Sequence, residues 1–463
     1  MCYQSTEGDP MLPTKFEERM KRILKNEYED FRSSLECRAV KGIRINPQKV
    51  SREYFIKQGL VPLPYVDNGF IPEESDGIGR TPEHHAGMFY VQDPGAMATV
   101  EAMSIPEGAL VLDACAAPGG KASQMAAAIG ESGFLFANEY VPKRAKIIVG
   151  NLERLGVKNA FVTSLDTCEF PKMFDSVFDV VLCDAPCSGE GMFRKYDEAV
   201  EEWSEENVIH SAKRQREILE NCAGAVKCGG HLIYSTCTYS TEENEENVIS
   251  FLDAHPEFSL VPVKKELASV TSSGLTELSD KYDLSLTRRF YPHVSKGEGQ
   301  FIALMKKADD PGKKPTFLYK SAETSPTKEE IRVVNSFFKE CFKEIPSGRL
   351  VKQGDGIAIV PTDLPIPARS LFMAGVMAGE VKKGIFFPHH QLFSAYGSLF
   401  KRRENLAKGD PRVESYLRGE EIEAVECKDN GYLSVSYEGA PLGGGKASCG
   451  RIKNHYPKGL RNK

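Results

Sequence analysis

The chain has 463 residues, 41% hydrophobic and 27% charged, which is enough apolar side chain for more than one core in a soluble protein. It has no apolar run of the ~18 residues a transmembrane helix needs, and its 12 scattered Cys are too sparse for a disulfide framework. The net charge of −6 hides an asymmetry: residues 311–463 hold 25 Lys and Arg against 17 Asp and Glu, net +8, and residues 1–310 carry net −14, so a basic module joined to an acidic one points to an anionic partner.

Met1–Met11 is polar and acid-bearing, unlike a signal peptide, and the chain reads as cytoplasmic. Phe16, Met20, Ile23 and Leu24, continued by Phe31 and Leu35, recur at helical spacing and predict helix within 12–45. Val66–Gly87, rich in Gly, Pro and acids, reads as a connection. Short apolar runs then predict strands at Ala109–Asp113, Phe134–Asn138, Ala160–Thr163, Asp179–Cys183, His231–Ser235 and Phe301–Met305. Helical segments such as Pro142–Leu155 and Glu206–Val226 lie between them. This alternation predicts an α/β fold with a parallel sheet covered on both faces.

Further along, Ser240 and Glu243 form a capping-box pattern for a helix through Phe251–Leu252. Glu198, Glu201, Glu202, Glu205, Glu206, Glu245 and Glu246 read as a solvated acidic face. Lys306–Lys328, with Pro311, Pro315 and Pro326, is the best linker candidate. About 329–390 mixes a helix with short strands, and about 400–463 has Gly-rich turns and β-like runs such as Tyr432–Tyr437. Lys446–Lys463 carries six basic residues and no acid.

Ligands of an open parallel sheet bind at the carboxyl ends of its strands, and five such ends here carry unusual residues. The first continues as Asp113-Ala114-Cys115-Ala116-Ala117-Pro118-Gly119-Gly120-Lys121. Its glycines would let backbone amides approach a ligand at a helix start. It fails the phosphate-loop pattern at Cys115 and Ala122, and a nucleoside-type cofactor fits the tight turn better. Glu139 ends the second strand, where an acid can accept from ribose hydroxyls, and Asp166 ends the third, placed to meet an adenine amino group. Loop and acids together fit S-adenosylmethionine, although each acid alone reads as an N-cap or surface residue.

The fourth and fifth ends hold Asp184 and Cys187, and Cys237. A buried hydrophobe is the ordinary role of a cysteine; it suits Cys183, Cys222, Cys228, Cys115 and Cys168 better than Cys187 and Cys237, which sit among polar residues at the ligand edge. A zinc site is discounted, because Cys183 and Cys187 have no second Cys or His pair at ligand spacing. Two edge cysteines beside an Asp suit methylation of cytosine carbon 5. A thiolate adding to carbon 6 makes carbon 5 enamine-like, an acid on the N3/N4 edge stabilises the adduct, and a base then removes the carbon 5 proton.

The runs 113–121 (DACAAPGGK), 184–191 (DAPCSGEG) and 234–238 (YSTCT) with 242–244 (EEN), together with Trp203 and Gln215…Leu219, resemble the NSUN/Sun-type RNA cytosine-C5 methyltransferases over about residues 90–307. The whole-chain layout is similar to the RsmF/YebU branch, whose enzymes modify small-subunit (16S) ribosomal RNA. Gln300, where a small or aromatic residue is expected, is a local departure.

The resemblance implies a Rossmann-like class I methyltransferase core with a mostly parallel seven-stranded sheet. Around it are implied an α-rich N-terminal region and a C-terminal mixed segment plus a PUA-like RNA-binding end, divided as 1–88, 89–307, a linker at 308–328, 329–398 and 399–463. It implies Cys237 as nucleophile, Cys187 assisting proton removal and product release, and Asp184 contacting the base and the cofactor region. It also implies that Cys115, Ala116, Ala117, Pro118, Gly119, Gly120, Lys121, Glu139, Arg144 and Asp166 hold S-adenosylmethionine, with Lys121 also reaching the base, and that no metal or membrane takes part. The target base must be flipped or single-stranded. A DNA methyltransferase would use the Pro-Cys cysteine, Cys187, and need no Thr-Cys partner. A non-catalytic assembly factor would have no need of intact Cys187, Cys237, Asp184 and Lys121, and a small-molecule methyltransferase no need of a basic appendage.

Overall fold

The computed structural model describes residues 12–73 and 76–462; the Met1–Met11 stretch and Lys463 discussed above lie outside them. Seven strands form the centre: β1 (Leu110–Asp113), β2 (Phe134–Asn138), β3 (Ala160–Thr163), β4 (Phe178–Asp184), β5 (Val226–Thr236), β6 (Arg288–Phe290) and β7 (Gln300–Lys307). They stand in the order 6-7-5-4-1-2-3 within a ten-stranded sheet. Strands β5, β4, β1, β2 and β3 run parallel, and β7 is antiparallel to both β5 and β6. The chain steps from β1 to β3 on one side and from β4 to β5 on the other. The sheet's topological switch therefore opens a crevice at the carboxyl ends of β1 and β4.

Four helices cover the sheet: α1 (Gly120–Ala128), α2 (Pro142–Leu155), α3 (Glu205–Ala223) and α4 (Glu245–Ala254). Met125, Ile148 and Leu152 bury one face against Val111, Leu135 and Val162. Leu219, Cys222 and Phe251 bury the other against Leu112, Phe136 and Val181. Strands β2 and β3 and helix α2 fall where the sequence predicts them. Helix α2 begins on Pro142 at its first turn and stops at Gly156, whose φ of +74° places it in the left-handed region. The expected boundary at Val226 differs: α3 ends at Ala223, and Val226 already pairs with Phe178 before the register shifts ahead of His231.

The segments around this core are tied into it. Helices Thr14–Leu24 and Tyr28–Leu35 bury Phe16, Met20 and Phe31 against Phe193, Trp203 and Tyr239, which sit beside the strand-end loops. Beyond these expected helices the N-terminal region holds a four-stranded antiparallel sheet. One of its strands, Gly69–Ile71, lies inside the segment read as a connection; three residues are too few for alternation to show. The linker is also held: Thr316–Phe317 pairs with Phe174–Asp175, and Phe317 stacks on Phe136 at 6.0 Å. Farther on, β8 (Leu371–Ala374) adds an antiparallel edge to β3.

A five-stranded sheet spans residues 403–454. Leu433 of this sheet, with Val413 and Tyr416 of the helix Arg412–Arg418, shares one core with Ile43, Phe70 and Phe89 of the N-terminal sheet. Glu245, read as part of the solvated acidic face, is instead fully buried and paired with Arg289, whose Nε donates to its Oε1 at 2.7 Å. No helix among the described residues is long and apolar enough to cross a membrane.

Candidate active site

The five strand ends meet along one edge of the sheet. At the end of β4, Asp184 accepts from Lys121 Nζ through Oδ2 (2.8 Å) and from Ser235 Oγ through Oδ1 (2.6 Å). Lys121 sits in the first turn of α1. Burial works against its charge, but the Asp184 carboxylate outweighs it and holds the ammonium above the ordinary lysine range. The loops after β4 and β5 bring Cys187 Sγ to 3.1 Å from Cys237 Sγ, and Cys237 N–H donates to Cys187 Sγ at 3.3 Å. Both are free thiols, half-buried at the edge. The bond to Cys237, helped by burial, pushes the Cys187 thiol well above the ordinary range, so Cys187 keeps its proton.

Two buried glutamates bracket the pair. Glu190 accepts from Trp203 Nε1 (2.9 Å), Thr238 Oγ1 (2.7 Å), Tyr239 N (2.8 Å) and Ser240 Oγ (2.6 Å). Glu243 accepts from Ser188 N (3.0 Å), Ser188 Oγ and Gln215 Nε2 (2.6 Å). The capping-box expectation is therefore corrected. Ser240 and Glu243 do not bond each other's backbone; both reach into the neighbouring loop, and α4 begins behind Asn244 with no side-chain cap. A capping box and a cross-loop bond share the same residue types, and only the three-dimensional partner separates them.

Beside the cysteines, a cavity of about 420 Å³ opens at the ends of β1, β2 and β3, within the range for small-molecule sites. Its walls include Cys115, Asn138, Glu139, Arg144, Asp166 and Cys168. Cys168 is exposed there and not a buried hydrophobe. Glu139 Oε1 accepts from Val141 N (3.0 Å), and its Oε2 pairs with Arg144 Nη1 (3.3 Å). Asp166 Oδ1 accepts from Cys168 N (2.9 Å). Asp166 thus has the N-cap role weighed above, whereas Glu139 is buried and no cap; both also line the cavity, and a carboxylate retains lone pairs for a second donor. Acceptors for hydroxyl and amino groups, beside the polarizable Cys115 sulfur, fit a nucleoside cofactor.

The glycine loop connects β1 to α1. Only its start lines this cavity, through Ala114 and Cys115; Ala116, Ala117, Pro118, Gly119 and Gly120 do not. Gly119 holds φ +108° ahead of α1, where a side chain is disfavoured. At Gly120 a Cβ would stand 3.1 Å from Tyr90, so its smallness serves packing. The unforeseen organiser is Asn138, 1% exposed. It donates to Ala114 O (3.2 Å) and Leu165 O (3.0 Å) and accepts from Thr163 Oγ1 (2.9 Å), joining the ends of β1, β2 and β3. As the last residue of β2, Asn138 shows nothing in its spacing that marks this role.

Asp113, 0% exposed, finds no hydrogen bond of ordinary geometry on either oxygen among the described residues. Burial, reinforced by Asp184, pushes its carboxyl up to about 8. A raised carboxylate favours folding while protonated and loses that contribution as pH rises toward 8. Asp113→Asn should therefore melt higher than the parent at pH 8 and no higher at pH 4; thermal melts across that range read the difference, and parallel curves would refute it.

Three family descriptions match the chain. Residues 100–306 match the 16S rRNA methyltransferase RsmB/F, residues 12–94 the N-terminal domain of 16S rRNA methyltransferase RsmF, and residues 403–462 the methyltransferase RsmF PUA domain. Ribosomal RNA small subunit methyltransferase F of Vibrio campbellii is 31% identical over 97% of this chain and 97% of its own length. The protein of that name in Aeromonas hydrophila is 31% identical, covering 91% and 90%. The solved methyltransferase homolog protein from Pyrococcus horikoshii superposes with a TM-score of 0.56 at 27% identity, over 64% of this chain and 95% of its own.

Proposed function

This chain belongs to the ribosomal RNA small subunit methyltransferase F family, and from that premise we propose that it methylates carbon 5 of a cytosine in small-subunit ribosomal RNA through a covalent Cys237 adduct. It is an RNA methyltransferase with S-adenosylmethionine as cofactor and a C-terminal PUA domain. The observation that carries the finer reading is the contact of two free thiols at 3.1 Å beside the Lys121–Asp184 pair.

When bound, S-adenosylmethionine supplies an electrophilic methyl group. Glu139 and Asp166, with Cys115 and Arg144, would hold it in the adjoining cavity. Cys187 keeps its proton and can direct it toward the Cys237 sulfur, which favours Cys237 as the attacking thiolate. As the sulfur bonds carbon 6, the C5=C6 π electrons move into the ring, and negative charge spreads to carbon 5 and N3. Asp184 accepts from the N4 amino group, and the Lys121 ammonium that fixes this carboxylate offsets the negative charge building on N3. Loss of the carbon 5 proton to solvent water on the Cys187 side restores the double bond and expels the Cys237 sulfur as a thiolate, toward which the Cys187 thiol donates.

Small-subunit RNA carrying 5-fluorocytosine tests the adduct, since fluorine replaces the proton that must leave. A denaturant-resistant protein–RNA complex should form, with the modified peptide containing Cys237. Full methyl transfer with no covalent complex would refute the mechanism.

RNA contacts beyond the target base are assigned to the PUA domain. Lys446 and Lys453 are exposed and directly opposite on neighbouring strands. Like charges so placed repel and suit an anionic partner. Lys446 Nζ also lies 5.4 Å over the Tyr432 ring. Removing residues 400–463 would break the core shared with the N-terminal sheet, so substitution is the cleaner test. Lys446→Gln with Lys453→Gln should make the log affinity–log salt slope shallower by about 1.5, roughly 0.7–0.9 per phosphate contact. An unchanged slope in filter-binding titrations would remove this surface from the interface.

A further inference from the structure

The buried carboxylates around the thiols form a reciprocal arrangement. Glu190 lies three residues after Cys187, yet its acceptors serve Thr238, Tyr239 and Ser240, the residues that follow Cys237. Glu243 follows Cys237, yet it serves Ser188, the residue after Cys187. Ser188 Oγ and Thr238 Oγ1, each donating its proton to a glutamate, stand 2.9 Å apart where the two halves meet. The loops also share one direct backbone bond, Gly191 N to Cys237 O at 2.9 Å. Each cysteine loop is thus fixed by an acid belonging to the other.

We infer that Glu190 and Glu243 are positioning residues that set the distance between the Cys187 and Cys237 sulfurs, and with it the rate of the covalent step. The inference rests on the cysteine chemistry proposed above. The stereochemistry of the bonds supports it. All four partners of Glu190 are donors, and a carboxylate can accept every one, whereas a glutamine has one acceptor oxygen and turns an NH₂ toward the rest. Glu243 likewise meets only donors. A solvated surface acid or a helix cap would not gather four or three donors across two loops while 2% and 0% exposed. Neither acid is placed against the target base, so neither is assigned a proton-transfer step.

The test uses the full chain and small-subunit RNA. Glu190→Gln, Glu243→Gln and the milder Ser188→Ala and Thr238→Val are compared with the parent. One readout is the rate at which diamide converts the Cys187 and Cys237 thiols into a disulfide, the reagent taking up the two electrons and two protons released; peptide mapping follows the bond. The second is kcat against KM for RNA. Geometric misplacement on this scale costs roughly 10- to 100-fold. The expected result is that kcat and the cross-linking rate fall together by about that factor, with KM within about twofold of the parent. The hydroxyl variants should show a smaller loss in the same direction.

Folded variants, verified by melting, that cross-link and turn over at the parental rate would overturn the inference. If both Gln variants fail to fold, the hydroxyl variants decide: parental kcat and cross-linking in both would also overturn it. Failure of the underlying reading looks different, because Cys237→Ala would then keep parental activity while the Glu variants still slowed cross-linking.

Discussion

Cys237→Ala should lose methylation by roughly 10⁴-fold or more, the scale seen when an attacking nucleophile is removed. It should form no covalent complex with RNA. Cytosine carbon 5 is not nucleophilic until a sulfur bonds carbon 6, and in the proposed mechanism that sulfur is Cys237. Cys187→Ala should differ in kind. Its partner can still attack, but the step assisted by Cys187 is blocked, so a denaturant-resistant adduct should accumulate while free product stays near zero. The asymmetry follows from the proposed roles: the Cys187 thiol, raised by its bond to Cys237, faces the Cys237 sulfur at 3.1 Å and can donate to it. Labelled S-adenosylmethionine, product digestion and denaturing gels measure both outcomes. The reverse pattern, an active Cys237→Ala beside a Cys187→Ala that forms no adduct, would move the nucleophile to Cys187 and restore the DNA-type assignment.

The parts of this molecule legible in the sequence are those fixed by local pattern. Fully buried strands such as Phe134–Asn138 and Ala160–Thr163 need continuous apolar runs, and α2 announces itself through Pro142 and Gly156. Polar residues following such runs had to lie on one edge, which is why Glu139, Asp166, Asp184, Cys187 and Cys237 could be grouped before their distances were known. What stayed hidden depends on remote partners. Leu371–Ala374 becomes a strand only because the edge of β3 is open to it. Glu245 has the composition of a surface acid and is buried because Arg289, 44 residues away, meets it. The packing demand at Gly120 was hidden for the same reason, since the Tyr90 ring that a Cβ there would approach to 3.1 Å belongs to another layer.

Asp184→Asn should lower kcat by roughly 10²–10³, the range for removing one preorganised electrostatic group, and the loss should grow with pH. Burial works against the Lys121 charge, and the Asp184 carboxylate is the largest influence that overcomes it. With an amide in its place the desolvation penalty prevails, and the ammonium titrates at lower pH. A lysine whose pKa falls loses its charge as pH rises through the new value, so Asp184→Asn should be least impaired near pH 6 and most impaired toward pH 9. Lys121→Met removes the ammonium at every pH, and its loss relative to the parent should stay flat across that window. Single-turnover rates with saturating RNA separate the two profiles from any change in affinity. The Ser235 hydroxyl, 2.6 Å from Asp184 Oδ1, can still bond an amide oxygen, so the side chain should keep its orientation and the difference should report charge. Parallel pH profiles for the two variants would show that the 2.8 Å contact between Lys121 and Asp184 serves to hold α1 against β4 and contributes nothing to the chemical step.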